Sequence, residues 1–487
     1  MRPHFLQTLI TQILPVVVAA FLTGCGGGGA DVAGGGIGGT GYTTASVGTV
    51  DGFGSVIVNE VRYDTGAAEV FIENRFVGSG DSAVIQNLSA GMVVRVEGSV
   101  AEDGSASADR VYFSRNLKGA VESVADLDSL TKQAVILGQT IILDDRTAYN
   151  NTTAAAIAVG MVLEISGYDD ESGRIAATYM NRLSDALPPG EEVDIKGLVQ
   201  NQNPQAQTFV IGLLTIDYSA ADLSTLPVGA PEDGQMIRAR GTLVAANRLL
   251  ASRLEPEEEF GSGVVDFVYL EGIVTGKQGP DEFGIGRYTV RTDQETIYRN
   301  LKPQDVNPGT RVVVKGTLTG RSVLAREVSL SEKIRMESDV SGVNEAQESL
   351  TLSGLETAPV FATATTRFVG IARALDEIEP GNHARVLGRK TADGDILAST
   401  VVVTPSPSDA VALAGPVDSI SQPSVVVLGI AVNTSTIPSD GFKGAEGQLV
   451  SPVEFFGALR PGDIVAAEGV LEPGGVRWDS ITLEAGS

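Results

Sequence analysis

Cysteine, histidine and tryptophan are almost missing from this chain: one Cys, two His and one Trp in 487 residues, with aromatics at 5%. The single cysteine, Cys25, leaves no partner for an intramolecular disulfide. Histidine is too scarce for a His-rich zinc site, a Cys-His pair or an HExxH helix. Only His383 lies beyond the N-terminal segment, and no Gly-x-Ser-x-Gly elbow accompanies it, which disfavours a Ser-His-Asp hydrolase. Basic residues are outnumbered as well, 35 against 61 acidic, for a net charge of −26. Such a charge repels phosphate backbones and anionic lipid, so nucleic acid is excluded as the expected partner.

Glycine, in contrast, is abundant at 58 residues, and much of it is periodic. Pairs seven apart recur as Gly91/Gly98, Gly160/Gly167, Gly234/Gly241, Gly309/Gly316, Gly381/Gly388 and Gly462/Gly469. Between them apolar residues alternate with charged ones, as in Gly309-Thr-Arg-Val-Val-Val-Lys-Gly316, and period two with one apolar face is a half-buried strand. Proline precedes the first glycine at Pro308, Pro380 and Pro461, a pairing suited to a tight turn in which glycine takes positive φ. The second glycine falls inside the strand pattern, where it marks a bulge or bend. Three residues before an apolar position, the last strand of each unit carries a small residue: Ala108, Ala177, Ala251, Ala325 and Ala398, with Trp478 in the sixth.

A short strand with its own glycine opens most units: Gly48, Gly119, Gly197, Gly272 and Gly415, with Ser338 in the fifth. Units of about seventy residues repeated along the chain are the mark of an array. The expected fold is all-β: about six small OB-like antiparallel barrels in tandem, each curled by its glycine bend. The rival for each unit, a seven-strand sandwich, needs a longer segment. The expected boundaries are modules at 45–116, 117–186, 192–256, 267–331, 334–405 and 410–485, strung like beads with some packing between neighbours. Insertions before the framed strand, Ala67 to Gly80 and Thr434 to Gln448, distinguish the first and sixth.

The N-terminus reads as a processing segment. Arg2, an apolar run from Phe5 to Phe21 and Leu22-Thr-Gly-Cys25 make residues 1–24 a lipoprotein signal peptide, with Cys25 as the acylated residue. The lipobox resembles those of Gram-negative lipoproteins, and Gly26 rather than Asp after the cysteine implies the outer membrane. Residues 25–44, dominated by glycine, should form a tether.

Gly35 to Gly41, followed by Gly52-Phe-Gly-Ser-Val-Ile-Val-Asn59 and Val61-Arg-Tyr-Asp-Thr65, resembles bacterial lipoproteins of the domain of unknown function 5666 family. The resemblance implies a secreted, lipid-anchored β repeat, with no catalytic residues and no cofactor to carry over. Glu60 stands where that family has glycine.

The remaining chemistry is sparse. Carboxylate pairs (Asp144/Asp145, Asp169/Asp170, Glu257 to Glu259) could serve a hydrolase or hold Ca²⁺ loosely, yet they fall in turns and linkers where carboxylates are ordinarily solvated. His383 is expected on the solvated face of its strand. The one repeated polar feature is the outward row Arg95, Arg238, Arg240, Arg311, Lys315 and Arg385. It reads either as cross-strand pairing with acids or as a binding face for an acidic glycan or protein. The sequence therefore predicts a non-catalytic, lipid-anchored envelope protein that binds or scaffolds. The membrane is its partner through the lipid, and an envelope protein or glycan is a further one. A carboxylate hydrolase and an oligosaccharide-binding module are the alternatives, and the oligomeric state is open.

Overall fold

The computed structural model describes residues 42–484 except 53–54, 102–104, 258–259, 261–266, 392, 406 and 446. The lipobox with Cys25, and most of the glycine tether, lie outside the described residues. The described residues form one compact unit.

The second module shows how seventy residues become a barrel. Its opening strand, Leu117–Asp126, pairs antiparallel with Lys132–Ile136 on one side and Val162–Asp169 on the other. Lys132–Ile136 pairs with Gln139–Leu143, which lies parallel to the last strand, Ile175–Ser184. That last strand pairs with Val162–Asp169 and closes the ring. Five strands in the order 1-2-3-5-4, with a short helical turn at Ala154–Ala156 before the fourth, is the OB arrangement expected from the sequence. Modules one, three, four and five close in the same way.

Both framing glycines act as their positions require. All six first glycines have positive φ, from +78° to +94°. At each second glycine the pairing with the last strand slips by one residue, as at Lys315/Gly316. A Cβ at any of the six would come within 1.9–2.2 Å of a backbone carbonyl oxygen on the facing strand. Only glycine lets the two backbones close to that distance, and the bulge supplies the bend that small barrels need. Ala108, Ala177, Ala251, Ala325 and Ala398 are the residues paired with those glycines. Apolar residues inside each frame, such as Val312 and Val314, are fully buried in their barrel.

The sixth module departs. Trp478, 2% exposed, faces Gly469 where the others have alanine. Among the described residues its third strand, Ile430–Asn433, pairs only with Ser424–Val427, so this barrel is open between third and last strands. The insertion at residues 67–80 in module one forms a hairpin, Glu69–Ile72 with Arg75–Ser79, that extends the sheet.

The beads are not strung in simple order. Opening strands join barrels into three double sheets, pairing module two with three, five with six, and one with four. Thr44 to Val47 run parallel to Phe267 to Leu270, across the two intervening modules. Leu117 pairs antiparallel with Ile195, and Met336 with Leu413. Uncovered sheet faces of seventy-residue units leave much apolar and polar surface to be covered, and partner barrels cover it.

Candidate functional site

Alternation sends every second residue of a framed strand away from its own core. In an isolated barrel those residues would meet water. Here they meet other modules, and the charged ones collect into four buried ionic joints.

Arg238 centres the first. It is 1% exposed and reaches Glu73 of module one at 2.7 Å, Asp194 at 2.8 Å and Glu257 at 2.7 Å. It also donates to the Ser114 hydroxyl and the Arg115 carbonyl in the linker between modules one and two. Burial works against the charged guanidinium, but the three carboxylates win and hold it protonated.

Glu271, on the opening strand of module four, centres the second. Its Oε2 accepts the Thr49 backbone N–H and hydroxyl from module one, both at 3.0 Å, and the Tyr168 hydroxyl from module two at 2.8 Å. Its Oε1 accepts Arg311 Nε at 3.0 Å and the Ser331 hydroxyl at 2.6 Å. Burial alone would raise this carboxyl; Arg311 and the four donated hydrogens outweigh it and pull the pKa down to about 2.

The third joint ties module two to module five. Arg146 Nε donates to Asp144 at 2.9 Å and its Nη1 to Glu332 at 2.6 Å, while Arg389 Nε donates to Asp145 at 2.9 Å. Arg367 reaches Glu171 at 2.8 Å beside it.

The fourth joins modules four, five and six. Asp305, fully buried, pairs with Arg385; Glu337 accepts Lys302 at 3.1 Å and Arg335 at 2.5 Å; and Arg335 lies 3.5 Å from Glu468. His383 sits inside this joint, 2.9 Å from Asp339 through Nδ1 and 3.4 Å from Glu337 through Nε2. Those carboxylates raise its pKa against the opposing effect of burial.

Several expectations change here. The Arg/Lys row is not one exposed face. Arg238, Arg311 and Arg385 lie in separate joints, because the outward side of one barrel is the inward side of the pair. Arg95 sits 3.2 Å from Glu97 and 3.9 Å over the Tyr112 ring, and Lys315 lies 2.7 Å from Glu327. Arg240, half-buried, lines a crevice with Glu191 and Asp194. His383 is 9% exposed rather than solvated, and Asp144, Asp170 and Glu257 are buried ion partners rather than free turn carboxylates.

The anchoring acids Glu73, Glu271, Asp305 and Glu332 are absent from the candidates read in the sequence. A signal for one of them existed. The residue just before the opening glycine, or its serine replacement, is charged in four modules: Lys118, Lys196, Glu271 and Glu337. In modules two and five that position pairs with the opening strand of the neighbouring module, Lys118 with Asp194 and Glu337 with Ala412.

Among the described residues no group of three or more His, Cys, Asp or Glu could hold a metal ion. No described helix is long and apolar enough to cross a membrane. The family model described as Domain of unknown function (DUF5666) matches residues 118–181, 271–329 and 414–478. No curated protein matches the chain. Among solved structures, one titled "drosophila Unr CSD456" aligns at 13% identity over 44% of this chain and 96% of that one, with a TM-score of 0.12.

Proposed function

We propose that the chain, three segments of which match the DUF5666 model, is a lipid-anchored protein of the bacterial envelope, held in the outer membrane through Cys25, that binds or scaffolds rather than catalyses. The observation that carries this reading is how the titratable groups are used. His383 is engaged by a carboxylate at each ring nitrogen, and Asp144 and Glu271 are held as carboxylates by arginine. Acid–base chemistry needs a group free to take and return a proton near neutral pH. Groups locked in ion pairs instead hold barrels in fixed relation, which suits a rigid presenting surface.

Crosslinking in intact cells, with membrane fractionation of wild type and Cys25→Ala, tests the proposal. The wild type should co-fractionate with the outer membrane and capture an envelope component, and Cys25→Ala should be released as unprocessed or soluble protein. Turnover of an envelope glycan by the purified protein, abolished by Asp144→Asn, would overturn the non-catalytic reading; unchanged fractionation of Cys25→Ala would overturn the anchor.

A further inference from the structure

The two members of the carboxylate pair Asp169/Asp170 are treated differently by the fold. Asp170 accepts Arg174 Nε at 2.8 Å and the backbone N–H groups of Ser172 and Arg174 at 2.8 and 3.0 Å. Asp169, the last residue of Val162–Asp169, has neither a hydrogen-bond donor nor an ion-pair partner for its carboxylate among the described residues. The stretches of 42–484 outside those residues contain no lysine or arginine to supply one. Asp169 is exposed, and it lines a cavity of about 290 Å³ where modules one to four meet. Leu198, Met236, Ile273, Ile285 and Tyr288 give that cavity apolar walls. Two other charged residues line it, and both are engaged. Glu271 is held by Thr49, Tyr168, Arg311 and Ser331, and Lys196 Nζ donates to the Ser114 carbonyl at 3.3 Å. The surrounding walls desolvate Asp169 on its closed sides and raise its carboxyl above the usual range; Lys196 draws it back only in part, and Asp170 adds to the rise.

We propose that this cavity binds an organic cation, an ammonium group on a short alkyl stem, with the ammonium seated on Asp169. The one unpaired charge on its walls is negative and within reach of the cavity, so a cation completes it. An anion would enter beside both Asp169 and Glu271. A neutral ligand would remove water from the carboxylate without replacing the charge partner, at a cost in free energy. A metal ion does not suit the site: Ca²⁺ takes about six to eight oxygen ligands, and no group of three acids, histidines or cysteines gathers among the described residues. The apolar walls match an alkyl stem, and the volume lies at the small end of ligand sites, which keeps that stem to a few carbons. A net charge of −26 draws cations toward the chain over the long range. The site goes beyond the scaffolding role proposed above and does not depend on the lipid anchor.

The test is calorimetry on the purified chain with n-hexylamine, and with hexanol and hexanoate as its neutral and anionic counterparts. Hexylamine should give saturable heat and the other two should not. Asp169→Asn keeps the shape and removes the charge; amine affinity should fall about tenfold, the loss of one hydrogen bond to a charged group, while the melting temperature of the unliganded chain holds, because no partner is stranded. Leu198→Trp, which fills the cavity from a partly exposed wall, should abolish amine binding, and thermal melting separates a blocked site from a lost fold. Nα-acetyl-lysine N-methylamide distinguishes the sources of the ammonium: binding as tight as that of hexylamine assigns the site to a lysine side chain of a partner, and binding of hexylamine alone assigns it to a free amine. Absence of saturable heat with hexylamine, equal or tighter binding of hexanol or hexanoate, or amine binding indifferent to both folded variants would each overturn the proposal. Such a failure leaves the crosslinking result, and with it the envelope-binding reading, untouched.

Discussion

The joint between modules one and four and the joint between modules two and three solve the same problem with unequal means. The second unites neighbours: two register pairs, Lys118 with Asp194 and Leu117 with Ile195, stand beside a short linker, the Lys196 N–H donated to the Asn116 carbonyl at 2.7 Å and Gln139 Nε2 donated to the Ile211 carbonyl at 3.1 Å. The first brings together strands with two whole modules between them and uses four register pairs in parallel. It adds Asn59 Nδ2, which donates to the carbonyls of both Val47 and Tyr269, and the five-donor cluster on Glu271. Chain entropy explains little of the difference, because each doubling of a closed loop costs only about 0.6 kcal/mol. The joint is stronger than closure demands. Its strength matches the fact that no short linker holds module one beside module four if the contact opens.

The sharpest way to break the comparison is Glu271→Ala. It removes the acceptor for Arg311, Thr49, Tyr168 and Ser331 at once and leaves Arg311 buried without its charge partner. A loss of about 3–5 kcal/mol is expected, as for other buried pairs cut on one side. Chemical denaturation should report it, and limited proteolysis should cut first around module one. Loss of modules two and three before module one would show that the long joint is not the one Glu271 secures.

Acid should do the same thing reversibly. Arg311 and the donated hydrogens pull the Glu271 carboxyl down to about 2 in the folded chain, against 4.5 for an ordinary glutamate. A lowered folded pKa means stability present above pH 4.5 and lost as pH falls through the folded value. The one–four contact should therefore weaken between about pH 4.5 and 2, by about 3 kcal/mol in full. Urea midpoints measured across that window, wild type beside Glu271→Gln, give the check: the variant should lose the share of the slope owed to one carboxyl. The rest remains with Asp144 and Glu332, which arginine also holds low, and with Glu337, held low by His383 and Arg335. An identical slope in both would assign the acid response to other carboxylates.

What the sequence reveals and what it hides divide along the two faces of each strand. The inner face is legible. Val312 and Val314 must be buried somewhere, and Gly309 and Gly316 specify the turn and the bulge from local geometry alone. The outer face is ambiguous, because Arg238 in alternation with Ile237 and Ala239 reads the same whether water or another barrel lies beyond it. Thr49 and Glu271 are 222 positions apart and share no local pattern, so nothing in either segment announces their contact. Trp478 is the one break in the alanine series, and the module that carries it is the one whose barrel is open between third and last strands. The buried role of Glu337 is partly visible, since it shares with Lys118, Lys196 and Glu271 the place just ahead of the opening strand's glycine or its serine replacement.

The smallest expected effect sharpens the comparison from the other side. Lys118 on the opening strand of module two reaches Glu191 in the two–three linker at 2.7 Å, with the Glu191 side chain 46% exposed. Water screens that pair, and Lys118 holds no buried partner that would be stranded by its loss. Lys118→Met keeps the alkyl stem against the neighbouring strand and removes only the charge. A change of at most about 1 kcal/mol is expected, shrinking further in high salt. A loss as large as that of Glu271→Ala would mean that the adjacent joint depends on its charges as heavily as the distant one does. The short linker would then contribute far less to holding modules two and three together than the two-residue register implies.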